Sequence, residues 1–176
     1  MDYSTYENAI ELFRQVNCVG EQENCIFGAF KDVSKGASLY TGVIGNTFGG
    51  VIGGVVGDLI GENIEVRQNK LNKYTWYLIN QTENGLGIMP LVVSGGIVMN
   101  FNPQKLSPVF EDFTFYSYQE LKNIEVKNLG GLNKKVQAVT IVFANGTKLN
   151  LTVSIKEKLL IYQESNFTRF MARYKH

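Results

Sequence analysis

Hydrophobic and polar positions follow three different periods along the chain, and each period predicts a different kind of element. The first period covers residues 4–17. Ser4 and Glu7 form a capping box, in which each side chain can bond the other residue's backbone N–H. Apolar residues then recur three or four positions apart, a spacing typical of an amphipathic helix. The pattern predicts an N-terminal helix over residues 4–17.

The second period is a glycine repeat with a spacing of four. Residues 42–61 read GVIGNTFGGVIGGVVGDLIG, with apolar residues in most of the intervening positions. Glycines four residues apart lie along one ridge of a helix, where the bare backbone allows a neighbouring helix to approach closely, as in a glycine zipper. The interaction site predicted from this repeat comprises Gly45, Gly49, Gly53, Gly57 and Gly61.

A helix of this composition requires support from outside itself. Each interior glycine costs roughly 0.8–1 kcal/mol of helix propensity relative to alanine, so an isolated helix should not persist in water. Three interpretations of a Gly-rich helical insertion over residues 36–62 therefore stay open: packing against a helix or another copy of the chain, contact with lipid, or a plain loop. If the flanking strands pair in one sheet, a single transmembrane pass is excluded and a re-entrant hairpin or interfacial helix remains.

The third period begins at residue 64, where apolar positions alternate as they do in strands. Asn145-Gly146 and the TENG sequence at 82–85 predict hairpin turns, and Pro90 suggests an edge position or a bulge. Residues 113–118 and 121–129 form one broken strand or two. The remaining predicted strands are 25–32, 74–81, 86–93, 97–101, 136–144 and 148–154, with a loop over 102–112.

The final segment, residues 156–174, predicts an amphipathic helix. Its buried stripe would comprise Leu160, Phe167, Phe170, Met171 and Tyr174. At 176 residues the chain is long enough for one domain with its own core. The elements together predict a single α+β domain over residues 1–176, mainly antiparallel β, in which the strands form a barrel or two packed sheets and a terminal helix covers the open end.

The segment 113–174 resembles the second half of a bacterial pleckstrin-homology-like (PH/GRAM-type) domain. The resemblance rests on Tyr118, Leu121, Ile124 and Val126, which stand for the family's Y-x-x-I-x-x-V strand, and on Asn145-Gly146, which matches its D/N-G turn. It implies a PH-like barrel of about seven strands with a C-terminal helix, formed by residues 25–32 and 64–176. The insertion at 36–62 departs from the family's short loop after the first strand, a loop that can carry lipid contacts in that family.

The sequence offers few residues for catalysis. Its only histidine is residue 176, and no lysine follows the glycine run as a phosphate-binding loop would require. Cys18 and Cys25 have no accompanying base or metal ligands, so both are interpreted as small buried apolar residues. Glu111 and Asp112 are interpreted as solvated surface. No catalytic residue, metal site or cofactor is predicted, and an enzyme of unknown type is the third function hypothesis.

The net charge of +1 gives no overall attraction to nucleic acid. Basic residues nevertheless flank the glycine run, either as a solvated face or at the level of lipid headgroups: Lys31, Lys35, Arg67, Lys70 and Lys73. The predicted function is a non-enzymatic binding module that self-associates, or docks to membrane or protein partners, through the insertion. The alternative is a membrane-active or membrane-anchored protein that uses the zipper as a re-entrant hairpin. Since the N-terminus lacks a secretory signal, we expect a cytoplasmic protein, with membrane association as a further expectation.

Overall fold

The computed structural model describes residues 2–30, 71, 73–93, 102–128 and 135–174. Within these ranges the chain forms two α-helices and eight strands, and the prediction of an α+β domain with mainly antiparallel strands is confirmed. The helices are α1 (Tyr6–Arg14) and α2 (Gln163–Ala172). The strands are β1 (Asn24–Phe30), β2 (Trp76–Gln81), β3 (Gly85–Val93), β4 (Leu106–Pro108), β5 (Thr114–Ser117), β6 (Leu121–Asn128), β7 (Val136–Phe143) and β8 (Lys148–Ser154).

The strands form one antiparallel sheet in the order β4-β3-β2-β1-β8-β7-β6. β5 lies off this path and shares the outer edge of β3 with β4: Gly85–Ile88 of β3 pair with β5, and Leu91–Val93 pair with β4. Pro90 lies where the two partners meet, a position that suits a residue without a backbone N–H to donate. The sheet is open, with β6 at one end of the path and β4 at the other.

Both faces of the sheet carry a hydrophobic core. The outer core lies between α1 and one face of β1, β2 and β3, and its largest members include Phe13, Phe27, Trp76 and Met89. The inner core lies on the opposite face, where β7, β8 and α2 contribute Ile141, Leu151, Phe167 and Phe170. Every residue of β2 is buried because both of its faces are covered, which explains why its sequence does not alternate between apolar and polar residues.

The N-terminal helix is shorter than predicted. α1 begins after Thr5, whose side chain accepts a hydrogen bond from the Asn8 backbone N–H, so Thr5 and not Ser4 is the N-cap. Asp2 instead accepts the Ser4 N–H at 2.9 Å. The helix ends at Arg14, and Asn17 then adopts a positive φ of 54°, a conformation that asparagine tolerates better than most residues.

The C-terminal helix is also shorter than predicted, beginning at Gln163 and not at residue 156. Residues before it form a turn in which the Leu160 N–H donates to the Glu157 carbonyl at 3.1 Å. Leu160 therefore joins the outer core and not the helix stripe. Phe167 and Phe170 are buried as predicted, whereas Met171 is only partly buried.

The remaining strand predictions have mixed outcomes. Strand 148–154 has the predicted bounds, and residues 113–129 contain two strands and not one. The predicted loop 102–112 contains β4 and two short 3-10 turns, at Pro103–Lys105 and Phe110–Asp112. The predicted strand 97–101 and the predicted helical insertion 36–62 lie outside the described residues.

Candidate interaction site

The described residues at the two ends of the 31–70 segment lie side by side. β1 and β2 are antiparallel neighbours, with Ala29 opposite Trp76, and the Phe30 N–H donates to the Thr75 carbonyl at 2.8 Å. The segment therefore connects the C-terminal end of β1 with the N-terminal end of β2, two strands that pair in the middle of the sheet. We call this end of the strand pair the insertion base, defined by Phe30, Leu71, Lys73, Tyr74, Thr75 and Asp112.

Asp112, in the short 3-10 turn between β4 and β5, fixes the insertion base. The Tyr74 hydroxyl donates to its carboxylate, and the Lys73 ammonium lies 3.3 Å from the same oxygen. Lys73 also lies 5.6 Å from the centroid of the Tyr74 ring. The Asp112 side chain is only 11% exposed, so its interpretation as solvated surface is wrong. A carboxylate in this position holds two consecutive residues of the returning chain.

The hydrogen bond from Lys73 to Asp112 raises the pKa of the lysine. Burial, reinforced by the same carboxylate, raises the pKa of the Tyr74 phenol. Both groups therefore keep their protons at neutral pH, Lys73 as a cation and Tyr74 as a neutral donor. The cluster is an ion pair with a hydrogen-bonding phenol beside it, an arrangement suited to anchoring a chain segment.

Tyr77 provides a second anchor, inside the inner core. Its hydroxyl donates to the Leu71 carbonyl and accepts the Tyr74 N–H at 3.1 Å. The Tyr74 and Tyr77 rings meet edge to face, with centroids 6.4 Å apart. Burial raises the pKa of Tyr77, and a neutral phenol can fill both hydrogen-bonding roles at once.

The structure places one of the predicted interaction residues within this base. Lys73 is exposed, but its charge is paired with Asp112 and is thus partly compensated. The other predicted basic residues and all the zipper glycines lie outside the described residues: Lys31, Lys35, Arg67, Lys70, Gly45, Gly49, Gly53, Gly57 and Gly61.

Both cysteines are buried in the outer core as free thiols. Burial raises the pKa of Cys18 to about 11 and raises that of Cys25 well above its ordinary value. Since the thiolate is the reactive form, these positions disfavour nucleophilic chemistry. Among the described residues no three His, Cys, Asp or Glu side chains are grouped in a way that could hold a metal ion.

A polar seam between α2 and β1 escaped the sequence analysis. β1 pairs with β8 only at Ala29 and Phe30. Beyond those residues the Gln163 side chain takes the place of a strand: its Oε1 accepts the Phe27 N–H at 2.9 Å and its Nε2 donates to the Phe27 carbonyl at 2.7 Å. Asn166 donates to the Cys25 carbonyl at 2.8 Å. A side-chain amide can satisfy both backbone groups of one residue in this way.

The far end of α2 is tied to the β2–β3 turn. The Arg173 guanidinium donates to the Thr82 carbonyl at 2.8 Å and lies 4.8 Å from the centroid of the Tyr118 ring. The Tyr118 hydroxyl donates to the same carbonyl at 2.6 Å. Arg173 therefore helps to position the helix.

Comparisons of the chain with protein-family models, with curated proteins and with solved structures found no significant match. Neither helix in the described ranges combines the length and the apolar character needed to cross a membrane.

Proposed function

We propose that this chain is a non-enzymatic docking module, in which the sheet domain carries the glycine-rich insertion and the zipper glycines make the contact. The first candidate partner is another copy of the chain, followed by a helix of a different protein or a membrane surface. Glycines at intervals of four provide close backbone approach, which is of use only against a closely packed partner.

One observation carries this proposal. The Phe30–Thr75 hydrogen bond joins the two ends of the 31–70 segment, and Asp112 and Tyr77 hold the returning end. Among the described residues, Asn24–Ala29 of β1 pair directly with Trp76–Gln81 of β2. An insertion that leaves and returns between two paired strands is in a position to serve an interaction.

We further propose that the open sheet has the strand arrangement of a PH-like domain, although it does not close into the barrel that the sequence resemblance implies. β4 and β5 share one edge of β3, so the eight strands occupy seven positions, and a helix follows the last strand. The turn at Tyr118–Glu120 links the two ends of the sheet, and the Tyr116 and Phe143 rings meet there with centroids 4.0 Å apart. This convergence supports a barrel-like curvature of the open sheet.

The zipper is tested by replacing Gly49 and Gly53 together with leucine in the whole chain. Each change improves helix propensity by about 1 kcal/mol, yet leucine on the packed ridge should push two surfaces apart. We expect loss of the oligomer in light scattering, or loss of binding to vesicles in co-sedimentation, with the fold preserved. Trp76, the only tryptophan and buried in the outer core, reports on the fold through its fluorescence.

A matched control changes the flank of the same segment, with Val51 and Val55 replaced by leucine. These variants should keep the wild-type mass and vesicle binding, because the glycine ridge is unchanged. Unchanged stability and unchanged association in the Gly49→Leu/Gly53→Leu variant would contradict the proposal and would favour the interpretation of the segment as a plain loop.

The membrane hairpin is the second candidate, favoured by the position of both ends of the segment at one end of the sheet. A chain that leaves and returns there must cross a bilayer an even number of times or lie at its surface. Sedimentation of the wild type with neutral and anionic vesicles, but a monomeric mass in solution, would favour this candidate over self-association.

A further inference from the structure

The sequence contains two Asn-Gly pairs in the described residues, Asn84-Gly85 and Asn145-Gly146. In such a pair the glycine backbone nitrogen can attack the asparagine side-chain carbonyl carbon. A new C–N bond closes a succinimide ring, and the nitrogen of the side-chain amide leaves as ammonia. Water then opens the succinimide to aspartate or isoaspartate. We infer that Asn145 is a deamidation site in the folded protein and that the fold protects Asn84.

Asn145-Gly146 lies in an open turn. Residues 144–146 are all exposed, Gly146 has a φ of 84°, and a Cβ added to Gly146 would meet nothing within 4 Å. The Gly146 N–H donates to the Phe143 carbonyl at 3.0 Å, and Asn145 Oδ1 accepts the Thr147 N–H at 2.9 Å. The reaction requires only that these two turn hydrogen bonds open, which an exposed hairpin tip does readily.

Asn84-Gly85 is held in a different environment, although the Asn84 side chain is exposed. Gly85 is the first residue of β3, is buried, and pairs with Ser117 of β5. A Cβ added to Gly85 would clash with the Tyr116 carbonyl oxygen. The Asn84 carbonyl also accepts the Tyr118 N–H at 3.3 Å. The attack therefore requires β3 to separate from β5, a much larger opening than that of a turn.

Deamidation at Asn145 has defined consequences for the β7–β8 hairpin. Aspartate would add one negative charge at the tip, whereas isoaspartate would lengthen the main chain within the turn. The longer turn could no longer hold both the Gly146 and the Thr147 hydrogen bonds, so the hairpin would be weakened at its closed end.

Peptide mapping by mass spectrometry tests this inference on the wild-type protein incubated at mildly alkaline pH. In the folded protein, we expect Asn145 to convert at least about tenfold faster than Asn84, because only the turn opens often. In denaturant the two rates should become similar. Intact masses provide the matched control: Asn145→Gln should abolish the increase in mass, and Asn84→Gln should retain it.

Three outcomes would overturn the inference. Equal or faster conversion of Asn84 in the folded protein would show that β5 gives no protection. Conversion of neither residue in the folded protein would show that the hairpin tip is as closed as the strand. A difference that persists in denaturant would assign the selectivity to neighbouring sequence and not to the fold.

Discussion

Strands β1–β3 and strand β6 differ in how many of their faces are covered. In β1, β2 and β3 the outer face packs against α1 and the inner face contributes to the inner core, so nearly every residue of these strands is buried. In β6 only Leu121, Ile124 and Val126 turn toward the inner core, and the residues between them are exposed. Strands β1–β3 are therefore covered on both faces, whereas β6 is covered on one face only.

This difference indicates where the fold is most rigid. The 31–70 segment follows β1 and precedes β2, two strands that are covered on both faces along most of their length. Local opening free energies are highest where buried apolar contacts are densest. The insertion therefore connects strands with dense buried contacts, a position that suits the docking function proposed above.

The largest expected effect on stability comes from a side chain of the outer core, between α1 and the sheet. Phe27 is fully buried on β1, and its ring lies 5.4 Å from that of Trp76. We expect Phe27→Ala to lower the free energy of unfolding by about 3–5 kcal/mol through lost burial and an unfilled cavity. Urea unfolding followed by Trp76 fluorescence measures this change.

The matched control for Phe27 is Val126→Ala on β6. Its side chain is only half-buried, so we expect a loss of about 1 kcal/mol. Equal losses of unfolding free energy for the two variants would contradict the distinction between β1, which is covered on both faces, and β6, which is covered on one.

A smaller effect on stability is expected at the polar seam between α2 and β1. Gln163→Ala would leave the buried N–H and carbonyl of Phe27 without their side-chain partner. We expect a loss of about 2–3 kcal/mol from the loss of these two buried hydrogen bonds. Thermal or urea unfolding gives the value, and hydrogen exchange at the Phe27 amide should accelerate.

Glu164→Ala is the control for the seam, since it changes the next residue of the same helix. Glu164 forms an exposed salt bridge with Lys156 at 2.9 Å, so its removal should cost at most about 0.5 kcal/mol. A Gln163→Ala variant as stable as Glu164→Ala would mean that water satisfies the Phe27 backbone, and that the amide does not hold the seam.

Local patterns in the sequence predicted the β7–β8 hairpin best. β8 has the predicted bounds because it alternates cleanly and follows an Asn-Gly turn. The predicted start of α2 was wrong. Residues 156–162 have the apolar spacing of a helix, but the Glu157 side chain accepts the Leu159 N–H, and this hydrogen bond supports a turn. Thr5 and Ser4 are both good N-caps, and the sequence could not decide between them.

The insertion base depends on contacts between distant parts of the chain. The Asp112 carboxylate pairs with Lys73, 39 positions away, and no local period in the sequence signals such a contact. Gln163 and Asn166 did give a signal, since two amides three residues apart interrupt the apolar face of a helix beside Phe167. Buried amides at this spacing indicate a backbone edge that needs hydrogen-bonding partners.

The central claim is that the sheet domain is a scaffold and that the insertion makes the contact. It is tested most directly by replacing residues 36–62 with a short Gly/Ser linker, which the adjacent Phe30 and Thr75 allow, and measuring the mass in solution and vesicle binding of both chains. We predict that the shortened chain keeps its cooperative unfolding and its buried Trp76, but loses the association of the full chain. A shortened chain that associates as the full chain does would contradict this account.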